Sequence, residues 1–384
     1  MEDHKYPCLL IAGEKSGEDH ALSFIPGLKE KLPNLNLFGV GGDSLKKIGM
    51  ELLYHLKDFS SFGFSEVLGQ IPFYLKAYYK IIHEVKKRNC RVAILIDFQT
   101  FNLKLATQLK KEGVTVLYYV APQAWVWKSY RTKILEKTVH TLFTIIPFEK
   151  KWFEDRGVSR VQSVPHPLLI NYRDKLTEFK QTPRSTFKTD FSKEIKILLL
   201  PGSRKFEVRY MLPIYIEVVK ELRKIKNIKS SIVISPSVPP SYYASYLGDI
   251  DKIYTNENLP EALIEADFSI ASSGTVTLAC ALFEVPSIVC YKGSFINELI
   301  YNYFIRYEGF VSLANIVHNA QVFPELLQKR CDTHNILAAL LGWINDVNEY
   351  NNVKMRLSHT SNLLSGELRD VSSYMESIIK NVYK

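Results

Sequence analysis

The 384-residue sequence predicts an α/β protein built from two Rossmann-like domains. Three observations carry that expectation. Short β-branched runs alternate with longer amphipathic stretches, the signature of parallel, doubly wound sheets. The alternation stops over 171–193, NYRDKLTEFKQTPRSTFKTDFSK, where charge, Thr, Ser and a proline replace periodic apolar residues, and then it restarts. Finally, the chain is longer than one ordinary core of about 100–200 residues supports. The expected organisation is a first domain over 1–170, a linker over 171–193 and a second domain over 194–384 with C-terminal helices. A deep cleft between the two domains is expected.

The elements follow in order. CLLIAGE is the first strand, succeeded by a loop and the amphipathic HALSFIPGLKEKL. NLFGVGG is a second strand. RVAILID leads into the helix FNLKLATQLKKEG, VTVLYYVAP into a basic helix, and TLFTIIP into FEKKWFEDRG. After the linker, IKILLLPGSR opens onto a helix from about Glu207. SIVISPS, KIYTN, LPEALIEA, DFSIASSG, a short helix and PSIVCYK then continue the pattern before a helical final third.

Composition sets limits on function. Lys and Arg number 49 against 40 Asp and Glu, and the net charge of +9 favours anionic partners. Nucleic acid is a poor choice among them, because no RNP, KH or helix-turn-helix pattern is present. Nor do GVGG and AGEKSG make the GxGxxG of a nicotinamide enzyme. Cys8, Cys90, Cys280, Cys290 and Cys331 lack metal-type spacing and read as reduced core thiols of a cytoplasmic protein. MEDHKYPCLLIAGE does not suit a signal peptide, and no apolar run reaches the roughly 18 residues of a membrane span. Any membrane contact is expected to be peripheral.

In open α/β sheets, ligands gather where strands end and helices begin. AGEKSG, with Glu14, Ser16 and Gly17, occupies such a turn, as a phosphate-approach loop or simply a tight one. LIDFQTFN puts Asp97 at a strand's end, where two roles are open: N-cap of the next helix, or general base for an acceptor hydroxyl. YVAPQAWVWKSYR sets Trp125 and Trp127 as a packed wall or an acyl platform. One of its cations, Lys128 or Arg131, suits a phosphate. LLLPGSRKFEV is the strongest donor-side signal: Gly202 and Ser203 form the turn, and Arg204 is placed to neutralise a departing diphosphate. Glu207 follows three residues later, in a pattern that also suits a capping motif with Ser203 as N-cap. Ser273, Gly274 and Thr275 put small residues and open amides at another helix start.

These stretches together resemble the lipid-A-disaccharide synthases, GT-B-fold glycosyltransferases of Gram-negative bacteria. The resemblance rests on an ordered series: AGExSG (12–17), GVGG (39–42), FGFSEVL (62–68), DxxxFN (97–102), YVAPQAWVWKxxR (119–131), PFEKKWF (147–153), HPL (166–168), LLPGSRxxEV (199–208), SSGTxxL (272–278), VSLANI (311–316) and PELLQ (324–328). It implies inverting transfer of 2,3-diacylglucosamine from its UDP conjugate to the 6-hydroxyl of 2,3-diacylglucosamine 1-phosphate. The products are UDP and a β-1,6 disaccharide, formed without metal or cofactor. By the same resemblance Asp97 is the base, Arg204 and Asn315 join it as catalytic residues, and Glu14, Ser16, Gly17 and Glu207 belong to the substrate site.

The sequence departs from the family pattern at Glu18, Gln99, Thr100, Pro165 and Ala314. Ala279 stands where the family carries a ribose-holding Glu, so restoring that acid is expected to tighten UDP binding. IPFYLKAYYKIIHEVKKR (71–88) mixes Phe73, Tyr74 and Tyr78 with lysines, which suits acyl chains and the inner face of the inner membrane. A helix with one ordinary buried face has the same periodicity. Two other functions are compatible with the altered motifs: a degenerate paralogue that binds nucleotide or lipid without turnover, and another UDP-sugar GT-B enzyme.

Overall fold

The computed structural model describes residues 5–59, 71–125, 129–182, 190–293 and 309–384. The FGFSEVL motif, Trp127 and Lys128 lie outside them. The chain divides into two compact units, one of residues 1–171 with 364–384 and one of 172–363.

The first unit contains a seven-stranded parallel sheet: β1 (Tyr6–Ala12), β2 (Leu35–Gly41), β3 (Glu51–His55), β4 (Val92–Ile96), β5 (Thr115–Tyr119), β6 (Thr141–Thr144) and β7 (Val161–Ser163). Their spatial order is β3-β2-β1-β4-β5-β6-β7. β1 and β4 are fully buried over Cys8–Ala12 and Val92–Ile96, as continuous apolar strands covered on both faces require. The single helix read from HALSFIPGLKEKL is in fact two, Lys15–Leu22 and Ile25–Lys31, with Pro26 in the first turn of the second. Proline has no amide hydrogen with which to extend the first helix and fits the first turn of a new one, so the second helix starts at Ile25.

The second unit repeats the scheme with six parallel strands: β8 (Ile195–Leu200), β9 (Ile228–Ile234), β10 (Lys252–Thr255), β11 (Phe268–Ser272), β12 (Ser287–Tyr291) and β13 (Glu325–Leu327), ordered β10-β9-β8-β11-β12-β13. In each sheet the order reverses direction beside the first strand. One switch point lies between β1 and β4, the other between β8 and β11. This is the doubly wound arrangement, with its ligand positions at the carboxyl ends of those strands. All five cysteines are free and buried.

The structure moves both expected domain limits. Within the expected linker, Arg173–Lys180 is a helix that buries Leu176 and Phe179, the latter 5.7 Å from the Phe283 ring, so it packs with the second unit. At the other end, the Val371–Tyr383 helix belongs to the first unit. It buries Val371, Met375, Ile378 and Ile379. The Ser372 hydroxyl donates to Phe24 O (2.9 Å), the Tyr383 hydroxyl donates to Pro7 O, and the Arg91 amide donates to the Tyr383 hydroxyl (2.8 Å). The amphipathic stripe of this helix needed a partner, and the first unit supplies it.

Candidate active site

At the first switch point β1 ends in Gly13-Glu14 and β4 in Asp97-Phe98. Asp97 (φ 45°) and Phe98 (φ 46°) are successive left-handed residues, and Val120 (φ 63°), just after neighbouring β5, is a third. Non-glycine residues pay about 1–3 kcal/mol each for such conformations, which persist where surrounding groups impose them. Those groups are visible. The Tyr118 hydroxyl (2.8 Å) and Asn102 Nδ2 (2.9 Å) both donate to Asp97 O, Asn102 Nδ2 also donates to Ile96 O (3.1 Å), and the Asp97 amide donates to Tyr119 O (3.0 Å). A Cβ on Gly13 would stand 2.7 Å from the Phe98 ring, so the β1 turn admits only glycine.

This geometry excludes the N-cap reading of Asp97. Phe98 occupies the N-cap of the Gln99–Lys111 helix, and no side chain caps it. Asp97 instead lines a pocket of about 920 Å³, together with Glu14. Burial first, and then the charge of Glu14, pushes its carboxyl up to about 6. It is a carboxylate at neutral pH with enhanced basicity, as a general base requires.

One wall of the pocket is the Ile71–Lys87 helix, which contributes Ile71, Tyr74, Leu75, Tyr78 and Tyr79; the other is the Gln99–Lys111 helix. Tyr74 and Tyr78 thus line this pocket. Phe73 does not line the pocket: it packs 5.2 Å from Phe59 and 5.6 Å from Tyr54, in an aromatic cluster against the core. The large apolar residues of this helix that stand open are Ile71, Leu75 and Tyr79, 48, 52 and 68% exposed.

Trp125 is likewise part of the framework. Its Nε1 donates to Glu149 Oε1 (3.1 Å) and its ring lies 5.2 Å from Phe148. Burial pushes the Glu149 carboxyl up to about 8. The phosphate role considered for Arg131 does not survive, since that residue is buried and its guanidinium donates to Gln99 Oε1. Gln99, one of the departures from the family pattern, thus holds a structural contact. Lys15, Ser16 and Gly17 form the first helical turn after an N-cap at Glu14 rather than a loop; Ser16 is exposed and Gly17 buried. Glu18, another departure, is buried and accepts from the Leu45 amide (3.1 Å), so it ties this helix to the segment after β2.

At the second switch point, Gly202 (φ 109°) leads into the Lys205–Arg223 helix. Arg204, not Ser203, is its N-cap. Buried Glu207 accepts from the amides of Ser203 (2.9 Å) and Arg204 (3.1 Å) through Oε2, and a Cβ on Gly202 would come within 2.3 Å of that oxygen. Glu207 therefore shapes the turn from within. The Arg204 side chain is 72% exposed, 3.7 Å from Glu207 Oε1. After β11, Ser273 and Gly274 (φ 137°) precede the Thr275–Leu282 helix, with Gly274 at the N-cap and Thr275 exposed.

Two expectations for this unit are corrected. Asn315 has no capacity left for a substrate. Its Nδ2 donates to Phe323 O and Glu325 Oε1 (both 2.8 Å), and its Oδ1 accepts from the amides of Val322 (2.9 Å) and Phe323 (2.8 Å). Those four bonds use the whole inventory of an amide, so Asn315 positions the 320–325 turn. Ala279 is 1% exposed in a helix whose residues 277–282 are all buried, so it faces packing. Ala279→Glu is expected to lower the melting temperature, at a cost of more than about 3 kcal/mol for an unpaired buried carboxylate, without tightening UDP. Unchanged melting with tighter UDP binding on titration would reverse that assignment.

Comparison with known proteins places this geometry. A family model described as lipid-A-disaccharide synthetase matches residues 8–379. The chain is 31% identical over 378 residues to lipid-A-disaccharide synthase 1 of Legionella pneumophila subsp. pneumophila, covering 95% of each chain. It is 33% identical over 331 residues to the lipid-A-disaccharide synthase of Myxococcus xanthus, covering 83% of each. Among solved structures, the glycotransferase of kitacinnamycin superposes with a TM-score of 0.61 at 12% identity, covering 98% of each chain, a likeness of fold.

Proposed function

Because the chain belongs to the lipid-A-disaccharide synthetase family and is a glycosyltransferase of GT-B fold, we propose that Asp97 is the base that activates the acceptor and that the pocket beside it seats the acceptor lipid. The observation that carries this reading is the position of a basic carboxylate on a strained turn, at the end of a pocket with an apolar wall. The reaction implied by the family joins UDP-diacylglucosamine to diacylglucosamine 1-phosphate. Asp97 takes the proton of the acceptor 6-hydroxyl as its oxygen attacks the anomeric carbon. The bond to UDP breaks, the configuration inverts, and the electron pair leaves on the diphosphate.

In the second unit, Arg204 and the helix starts at 205 and 275 are suited to that developing charge. Gly202, Ser203, Ser273, Gly274 and Thr275 form the turns on which the diphosphate rests, Glu207 organises the first of them, and Glu14, Ser16 and Gly17 border the acceptor side. Among the described residues no group of three or more His, Cys, Asp or Glu side chains is placed to hold a metal ion.

The test is acceptor-dependent UDP release in detergent micelles with both lipids. Release that requires the acceptor supports the reading; none from folded protein refutes it and leaves the degenerate paralogue.

Among the described residues no helix is long and apolar enough to cross a membrane. We infer peripheral attachment to the inner face of the inner membrane through Ile71, Leu75 and Tyr79, whose exposed apolar surface is flanked by Lys76 and Lys80. The double variant Leu75→Ser with Tyr79→Ser is expected to lose co-sedimentation with anionic vesicles; retained binding would discard the attachment.

A further inference from the structure

Donor and acceptor in the proposed reaction carry the same diacylated hexosamine and differ in what the anomeric oxygen bears. An acceptor pocket that reads only the sugar and its chains would admit the donor as well. Discrimination therefore has to come from the phosphate.

The pocket contains the groups for it. Lys104, Thr107 and Lys111 recur at i, i+3 and i+7 on the Gln99–Lys111 helix, all exposed and all bordering the cavity that Asp97 lines. No carboxylate lies within ion-pair distance of either lysine among the described residues. By contrast Lys86 on the facing helix is neutralised by Glu112 at 3.0 Å, and Arg131 is buried on Gln99. Lys104 stands about 8 Å along the helix from its start beside Asp97, and Lys111 about 18 Å, at 1.5 Å per residue. A hexosamine whose hydroxyl lies at Asp97 extends its anomeric substituent across one ring, toward Lys104 and not as far as Lys111.

We propose that Lys104 is the seat of the acceptor's phosphomonoester and the residue by which the enzyme selects a phosphorylated acceptor. The dianion meets the Lys104 ammonium, while the Thr107 hydroxyl donates to Leu103 O (3.0 Å), and the contact orients the sugar so that the distal hydroxyl faces Asp97. This inference rests on the acceptor assignment of the pocket given above.

The experiment compares kcat/KM for the 1-phosphorylated acceptor and for the same diacylglucosamine with a free anomeric hydroxyl, in wild type, Lys104→Gln and Lys111→Gln. The expected result is that Lys104→Gln lowers the preference for the phosphorylated acceptor by about tenfold or more. Inorganic phosphate, competitive with the acceptor in wild type, should inhibit this variant less. Lys111→Gln should leave the preference intact.

A preference unchanged in Lys104→Gln would overturn the proposal. So would an equal fall for both acceptors accompanied by weaker binding to anionic vesicles, which would make Lys104 a membrane contact. Absence of acceptor-dependent UDP release from the wild type is a separate result: it removes the acceptor reading itself, and this inference with it.

Discussion

Asp97→Asn is expected to cost about 10²- to 10⁴-fold in turnover, the usual share of a positioned base, while making the protein more stable at neutral pH. Both effects come from one cause. Burial and the neighbouring Glu14 charge raise this carboxyl from 3.8 to about 6 in the folded chain. Between those values the native state holds a proton that the unfolded state has released, so stability falls as pH rises through that window and stays lower above it. A shift of about two units corresponds to about 3 kcal/mol. Asparagine carries no charge to lose and tolerates φ 45° as well as aspartate does, so the variant keeps the turn and escapes the penalty. Melting curves at pH 7.5 should lie several degrees above wild type, and the gap should close near pH 4. Wild-type kcat/KM should rise with pH through about 6 to a plateau. A variant that is inactive but less stable at every pH would mean that Asp97 holds the turn and is not a strained base.

The second large effect concerns the leaving group. Arg204→Ala is expected to lower kcat by about 10²- to 10³-fold, the range for removing one preorganised donor to developing charge. The physical reason is local: Glu207 already occupies the amides of Ser203 and Arg204, so charge rather than those amides must meet a diphosphate here, and the Arg204 guanidinium is exposed at the N-cap. Arg204→Lys should recover part of the rate through charge without the bidentate geometry. Glu207→Ala should instead weaken UDP binding together with stability, because the two amides lose their buried acceptor. Equal kinetics for Arg204→Ala and wild type would move the diphosphate elsewhere.

Much of the fold is legible in the sequence. The alternation of buried runs and amphipathic helices determines the class of both units, and it puts Asp97, Arg204 and Ser273 to Thr275 just after strands β4, β8 and β11. Lys104, Thr107 and Lys111 were missed, although their i, i+3, i+7 spacing is readable; nothing local says that the stripe borders a pocket. Phe73 and Tyr74 are adjacent aromatics of equal promise in the sequence; both pack against Phe59, and of the two Tyr74 also lines the cavity.

Periodicity and turn residues are local properties of the chain, so the pair of doubly wound sheets and their strand ends can be read along it. Which side chains remain available at those ends depends on contacts between distant segments. Asn315 is spent on Phe323 and Glu325, Glu207 on the turn behind it, Arg131 on Gln99, and Ala279 on packing, while the Val371–Tyr383 helix covers the first unit after the chain has traversed the second. A side chain's hydrogen-bond capacity is consumed by whichever groups folding brings near it, and those partners, unlike the periodicity of a helix, are not written beside it in the sequence.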